Sequence, residues 1–225
     1  AIAERTSIPV MVCMDGFILT HAVEEIDVPD QQAVDSFLPP FVPRQVLDPE
    51  DPITIGSMVG PDTFAEVKYL AAEDQLAALE VIGDVAADFG ESFGREAGGL
   101  VRGYRSDDAD IVIVALGSVL GSICDVVDDL RTQDIAAGAL AITCFRPWPA
   151  EHITAALAHA QTVIVLEKAF SVGSGSIIGN DTRLALAHTA VAFLMLAFLI
   201  AHLYLITTGH TVTAQLKSMV TGWEE

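Results

Sequence analysis

Residues 110–170 read DIVIVALGSVLGSICDVVDDLRTQDIAAGALAITCFRPWPAEHITAALAHAQTVIVLEKAF. Ile111–Leu116 is an apolar, β-branched run that ends at Gly117-Ser118, so it reads as a buried strand. SVLGSICDVVDDLRTQ then spaces its apolar residues as a helix of about 15 residues does. GALAITCFRPWP is a second strand, closed by Pro147 and Pro149. AEHITAALAHA is a second helix and TVIVLEKAF a third strand, followed by the Gly/Ser turn SVGSGSIIG. Strand–helix–strand–helix–strand at this spacing implies right-handed crossovers and a parallel sheet. Ligand-handling loops of such sheets lie at the carboxyl ends of the strands. Here those ends are Gly117-Ser118, Phe145-Arg146 and Glu167-Lys168.

Upstream, IPVMVCMDGFI (8–18) reads as another buried strand ended by Asp15-Gly16. Residues 27–62 hold Pro29, Pro39, Pro40, Pro43, Pro49, Pro52 and Pro61. That density predicts an extended linker without regular secondary structure. Residues 63–95 carry Phe64, Val67, Leu70, Ala71, Leu76, Leu79, Val81, Ile82, Val85 and Phe89 at helical spacing, so a helix is expected.

The 225 residues include 11 Lys+Arg against 31 Asp+Glu, a formal charge of −20. Phosphate backbones need a basic face, so nucleic acid is excluded as a partner. Yet 52% of the residues are hydrophobic and the mean hydropathy is +0.48. The excess is concentrated: no Asp, Glu, Lys or Arg occurs from Leu184 to Leu216. Leu184–Ile206 spans about 34 Å as a helix, enough to cross a bilayer core. The expected localisation is therefore a cytoplasmic α/β part with a membrane-inserted helix. Arg5 and Pro9 interrupt any early apolar run, so no signal peptide is expected in these residues. Cys13, Cys124 and Cys144 form no C-x-x-C pair, which predicts reduced, buried thiols. They are too few for an iron–sulfur cluster.

His188 and His202 are 14 residues apart, within about 40° of four full helical turns and about 21 Å along the axis. Two imidazoles on one face at membrane depth are candidate haem ligands, with Ala187, Ala192 and Ala201 leaving room for a macrocycle. The alternative is one His hydrogen-bonded between helices and one reaching the interface. Either haem would need a second imidazole from another helix. His210, after Gly209, reads as a solvated interfacial residue.

The remaining candidates are at strand ends. Asp15 and Thr20-His21 stand where a substrate or an adjoining subunit would touch them, although Asp-Gly also simply makes turns. Gly117-Ser118 can present helix amides to an anion; it lacks a full Gly-rich phosphate signature, which favours capping. Arg146, between Phe145 and Pro147, is a candidate to bind a carboxylate, internal or external; in a chain this poor in cations an internal salt bridge joined by Glu167-Lys168 is favoured. Gly173-x-Gly175 reads as a turn.

Two families are resembled. PVMVCMDGFILTHAVE (9–24), PRQVLDPEDPITIGSMVGPD (43–62), IVIVALGSVLG (111–121), CFRPWP (144–149) and VIVLEKA (163–169) are similar to 2-oxoacid:ferredoxin oxidoreductases, above all the pyruvate enzymes. The resemblance covers residues 1–183. It implies the end of a thiamine-type domain (1–26), a linker (27–62), a helical connector (63–109) and a transketolase-C-terminal-like α/β domain (110–183). It further implies oxidative decarboxylation of a 2-oxoacid to acyl-CoA in an intact enzyme holding thiamine diphosphate and iron–sulfur clusters. The implied partners are the other oxidoreductase domains or subunits, ferredoxin, CoA and the 2-oxoacid. The family's thiamine-activating glutamate has no counterpart here, so no catalytic residue is assigned and the chain alone is expected to be inactive.

The C-terminal segment HTAVAFLMLAFLIAHLYLITTGHTVTAQLKSMVTGWEE resembles the last helix of bacterial di-haem membrane cytochromes b, through His188, His202-Leu203-Tyr204 and Met219-x-x-Gly222. That implies a transmembrane helix (184–207), an interfacial tail (208–225), haem b on His188 and His202, and lipid and other cytochrome b helices as partners. The expected architecture is thus a partial parallel-sheet α/β domain with a Pro-rich linker and a single transmembrane α-helix. The expected function is a fragment of a 2-oxoacid:ferredoxin oxidoreductase joined to that helix. The alternatives are a membrane-anchored electron-transfer subunit and a non-catalytic anchor or interaction protein.

Overall fold

The computed structural model describes residues 1–207 apart from Ser57, without the side chains at 18, 188–190, 193 and 201–207. It divides into two units, Ala1–Ala169 and Phe170–Glu225.

The first unit is built on a four-stranded sheet of order β1-β3-β2-β4, formed by β1 (Val101–Tyr104), β2 (Ile111–Ala115), β3 (Ala137–Ile142) and β4 (Thr162–Val165). β2 pairs in parallel with β3 and β4, as the 110–170 pattern predicts; β1 pairs antiparallel with β3, Val101 opposite Ile142. The sequence does not announce β1. Its four residues, VRGY, carry charge and glycine and too few apolar positions to show an alternation.

β3, AGALAI, is buried at every residue. Its alanines let α5 (Val119–Arg131) approach closely, with Leu120, Ile123 and Val127 packed against Ala115, Ala137, Ala139 and Ala141. Gly138 is required there, because a Cβ would lie 2.6 Å from the Arg105 carbonyl oxygen. The crossover from β3 to β4 is α6 (Ala150–Leu157), which starts after Pro149 and buries Ile153 and Leu157.

Three short helices precede the sheet: α1 (Ile2–Thr6), α2 (Ile18–His21) and α3 (Gln31–Phe37). Residues 8–18 are not a strand. Val10, Met11, Val12 and Met14 are exposed, and no sheet neighbour gives the stretch a ladder. The proline-dense stretch is not wholly irregular either. α3 fits between Pro29 and Pro39, where no proline removes a donor; the Asp30 carboxylate caps the Ala33 amide at 2.8 Å,. Phe37 then stacks edge-on against Phe89 and Phe93. Those two rings belong to α4 (Phe64–Phe93), a helix of 30 residues in the stretch whose spacing predicts one.

The second unit opens with a turn closed by Ser171 and Gly175, in which Gly173 and Gly175 have positive φ. The Ser176 hydroxyl caps the Gly179 amide, and α7 (Ile177–Thr207) follows. Among the described residues no helix is long and apolar enough to cross a membrane. This corrects the expected transmembrane helix and the membrane-inserted localisation. α7 starts well before Leu184, with Asp181 and Arg183 in its opening turns, and it buries Ile178, Thr182 and Ala185. Residues 208–225, the expected interfacial tail with His210, lie outside the described residues.

Candidate functional site at the carboxyl ends of the strands

β2 ends at Ala115, and the chain turns through Leu116-Gly117-Ser118 into α5. Gly117 has φ +86, a left-handed turn that aims the first amides of α5 off the sheet edge,. Helix N-termini need acceptors for those amides. The side chain of Ser118 makes no capping bond within its own helix. The acceptor comes from far away in sequence: the Asp15 carboxylate takes the hydrogen bond of the Ser118 amide, across 103 residues. Of the two roles the sequence leaves open at Gly117-Ser118, anion binding and capping, the structure shows capping, by an internal carboxylate.

Hydrogen bonds from the Ser118 hydroxyl and amide hold the Asp15 carboxyl below its ordinary value, and the positive charge of Lys168 adds to that. Lys168 follows β4, the neighbour of β2. Two candidate loops therefore meet at Asp15: Gly117-Ser118 directly, and Lys168 through its field.

The third candidate loop follows β3. The Arg146 guanidinium folds back on its own turn, donating to the Phe145 carbonyl at 2.7 Å. It lies 4.1 Å from the Phe145 ring centroid and 5.7 Å from that of Trp148. Its neighbour Cys144 is buried, and burial pushes its thiol up. Trp148 Nε1 is buried without a hydrogen-bond partner. Thr20 and His21 make their hydrogen bonds locally: His21 Nδ1 bonds the Phe17 carbonyl oxygen at 2.9 Å, within one helical turn, and Thr20 bonds the same nitrogen.

Cys13 is exposed and Cys124 half-buried, so only Cys144 matches the expectation of buried thiols. Among the described residues no group of three or more His, Cys, Asp or Glu is placed to hold a metal ion. The three cysteines, all free, do not make the ligand set of an iron–sulfur cluster,. The side chains of His188 and His202 lie outside the described residues.

Two families match. Residues 1–87 match "Pyruvate flavodoxin/ferredoxin oxidoreductase, thiamine diP-bdg". Residues 109–199 match "Pyruvate:ferredoxin oxidoreductase core domain II". The second match runs across His188 and through most of α7, and the cytochrome b resemblance, with haem and cytochrome partners, is not supported. The pyruvate synthase subunit PorA of Methanosarcina barkeri is 42% identical over 87% of this chain and 49% of its own length. The ketoisovalerate oxidoreductase subunit VorA of Pyrococcus horikoshii is 33% identical over 88% of this chain and 51% of its own. The chain thus spans about half the length of these curated relatives. The crystal structure of the alpha chain of a probable 2-oxoacid ferredoxin oxidoreductase from Thermoplasma acidophilum matches 32% of this chain and 62% of that chain, at 33% identity. Its TM-score of 0.20 is too low to bear on the fold.

Proposed function

We propose that this chain, which carries domains of the pyruvate:ferredoxin oxidoreductase family, works within a 2-oxoacid:ferredoxin oxidoreductase with pyruvate as its substrate. The partners in this reading are the other subunits of that enzyme, ferredoxin, CoA and the oxoacid. In this reading the thiamine diphosphate and the iron–sulfur clusters belong to the intact enzyme, and residues 1–87 are the part of this chain similar to its thiamine-diphosphate-binding region.

One observation carries the reading. Asp15 lies in the stretch that matches the thiamine-diphosphate-binding family, and Ser118 lies in the stretch that matches core domain II. Their hydrogen bond joins the two at the carboxyl ends of the parallel strands. These are the ends at which such sheets handle ligands. The role of this chain's own residues is to position: Asp15 completes the α5 N-terminus and fixes the 8–21 segment, while Lys168 and Arg146 bring positive charge to the same sheet edge. A 2-oxoacid is an anion, and cations at that edge suit it.

The test is reconstitution. The chain is combined with the remaining subunits of a pyruvate synthase, and pyruvate- and CoA-dependent reduction of ferredoxin is followed. The expected result is reduction by the assembly and none by the chain alone. An assembly that forms with this chain but oxidises no 2-oxoacid overturns the reading. So does pyruvate oxidation by the isolated chain, which would place the whole chemistry here. Running pyruvate beside 2-ketoisovalerate decides the substrate, because relatives named for both share this region.

A further inference from the structure

Residues 9–14, PVMVCM, have the composition of a strand and no sheet. The run holds no charge, and Pro9 stands at the first position, where a strand tolerates it,. Alternation along a strand would put Val10, Val12 and Met14 on one face and Met11 and Cys13 on the other. Apolar side chains on both faces mark a strand that is covered on both sides. Here neither set is covered: Met11 is 85% exposed and its neighbour Val12 83%. None of the four strands pairs with the run. Among the described residues its only hydrogen bond is the long one from the Cys13 thiol to the Met11 carbonyl oxygen, at 4.0 Å.

The run is nevertheless held at both ends. Before it, α1 is fixed to α4 by the Arg5–Asp88 ion pair at 2.6 Å, and Ile2 packs against the cluster of Ile82, Leu100 and Cys144. After it, Asp15 caps α5 through the Ser118 amide. Residues 9–14 therefore lie between two anchors, with both edges of the backbone bare. Fixed ends lower the ordering entropy that a docking step has to overcome.

The backbone selects the partner. Main-chain donors and acceptors on both edges call for the main-chain groups of flanking strands, which lipid lacks. A second copy supplies too little. Two such runs make a two-stranded ribbon, marginal in water, leave one edge of each bare and set −20 against −20,. The family narrows the choice further. The run lies inside the stretch that matches the thiamine-diphosphate-binding family, and the chain spans about half the length of its curated relatives. We propose that residues 9–14 enter a sheet supplied by another polypeptide of the oxidoreductase assembly, as an inner strand paired on both edges. The identity of that partner rests on the functional reading above; the need for flanking strands stands without it.

The chain is combined with the remaining subunits of a pyruvate synthase, and amide exchange at 9–14 is compared with that of the chain alone. The expected result is open-chain exchange in the chain alone and protection of roughly a hundredfold or more in the assembly. Val12→Pro removes a donor from the middle of the run and should weaken association by roughly tenfold or more. Val12→Ile should keep it, as should Val23→Pro, outside the run. Val12 and Val23 are both exposed, so none of these substitutions threatens the fold. An assembly that oxidises pyruvate while 9–14 stays unprotected overturns the proposal and leaves the reaction standing. Protection in an assembly that oxidises no 2-oxoacid upholds the strand and overturns the reaction. Equal weakening by Val12→Pro and Val23→Pro overturns the strand, and so does the absence of any association with those subunits. Protection that rises with the concentration of the chain alone assigns the run to a second copy and likewise overturns it.

Discussion

The Asp15 carboxylate accepts the amide hydrogen bond of Ser118 and thereby caps a helix that begins 103 residues further along the chain. Asp15 is a negative charge at the positive end of the α5 dipole, with Lys168 adding to the field,. A carboxyl held low in the folded state stabilises docking above its ordinary, unfolded value. That contribution is lost as pH falls through the folded value. The expected outcome is that the 8–21 segment stays docked through mildly acidic pH, across the range where a free carboxyl of this type has already titrated, and releases only below it. Amide exchange at Ser118 against pH reads this directly. Asp15→Asn should exchange faster at neutral pH and lose the acid transition. A transition at the ordinary carboxylate value in the native chain would mean that the Ser118 contact does not hold Asp15 in solution.

Gly117 probes the same contact from the other side. A Cβ at Gly117 would stand 2.8 Å from Asp15 Oδ2, and the φ of +86 is one that L residues rarely adopt. Gly117→Ala should therefore cost about 1–3 kcal/mol, measured from the urea midpoint. On an Asp15→Ala background the steric part disappears and only the backbone part remains. A double-mutant cycle should show the two substitutions to be less than additive, by roughly 0.5 kcal/mol or more. Strict additivity would mean that Asp15 and Gly117 do not touch in solution.

These two residues show what the sequence could and could not reveal. Each reads as a turn or strand end by itself, from Asp15-Gly16 and Gly117-Ser118. Nothing local says that they meet, because the contact joins stretches far apart in the chain. The parallel sheet was legible because β2, β3 and β4 are continuous apolar runs separated by helical spacing. β1 was not, since VRGY has no alternation to detect. The 8–18 run misled for the converse reason: apolar content suggests a strand, but a strand also needs a neighbour. In α7 a long uncharged stretch suggested a bilayer span, yet the helix starts before it, at Ile177, with Asp181 and Arg183 on its first turns.

At the other end of the sheet, Arg131 ties three segments together. Its Nε donates to the Ala137 carbonyl at 2.7 Å and its Nη2 to the Arg105 carbonyl at 2.7 Å. Nη1 and Nη2 grip both oxygens of Asp108, at 2.9 and 2.7 Å. The guanidinium holds the Asp108 carboxyl below its ordinary value. Asp108 itself is largely exposed, which discounts the ion pair relative to the backbone bonds,. Arg131→Ala should clearly lower the urea midpoint, through the loss of its charged hydrogen bonds to the Ala137 and Arg105 carbonyls,. Arg131→Lys should recover only part of it, because one ammonium cannot reproduce a planar fork. Asp108→Asn should cost clearly less than Arg131→Ala in the same urea titration. The reverse order would make the ion pair, not the backbone grip, the stabilising element.

Three rings hold the proline-dense stretch in place. Phe37 sits 5.7 Å from Phe89 and 5.3 Å from Phe93, both near edge-on, while Phe89 and Phe93 are 4.7 Å apart. α3 packs against α4, so its position depends on this trio. Edge-on ring pairs contribute about 0.5–1.5 kcal/mol each beyond the area they bury. Phe37→Ala should therefore release α3, raising amide exchange across Gln31–Phe37 towards that of an open segment and leaving β2 and β3 unchanged. Phe37→Leu keeps apolar area but no ring edge, and should give an intermediate rate. If α3 exchanges as slowly in Phe37→Ala as in the native chain, the helix is held by its Asp30 cap alone. Asp30→Ala then becomes the substitution that frees it.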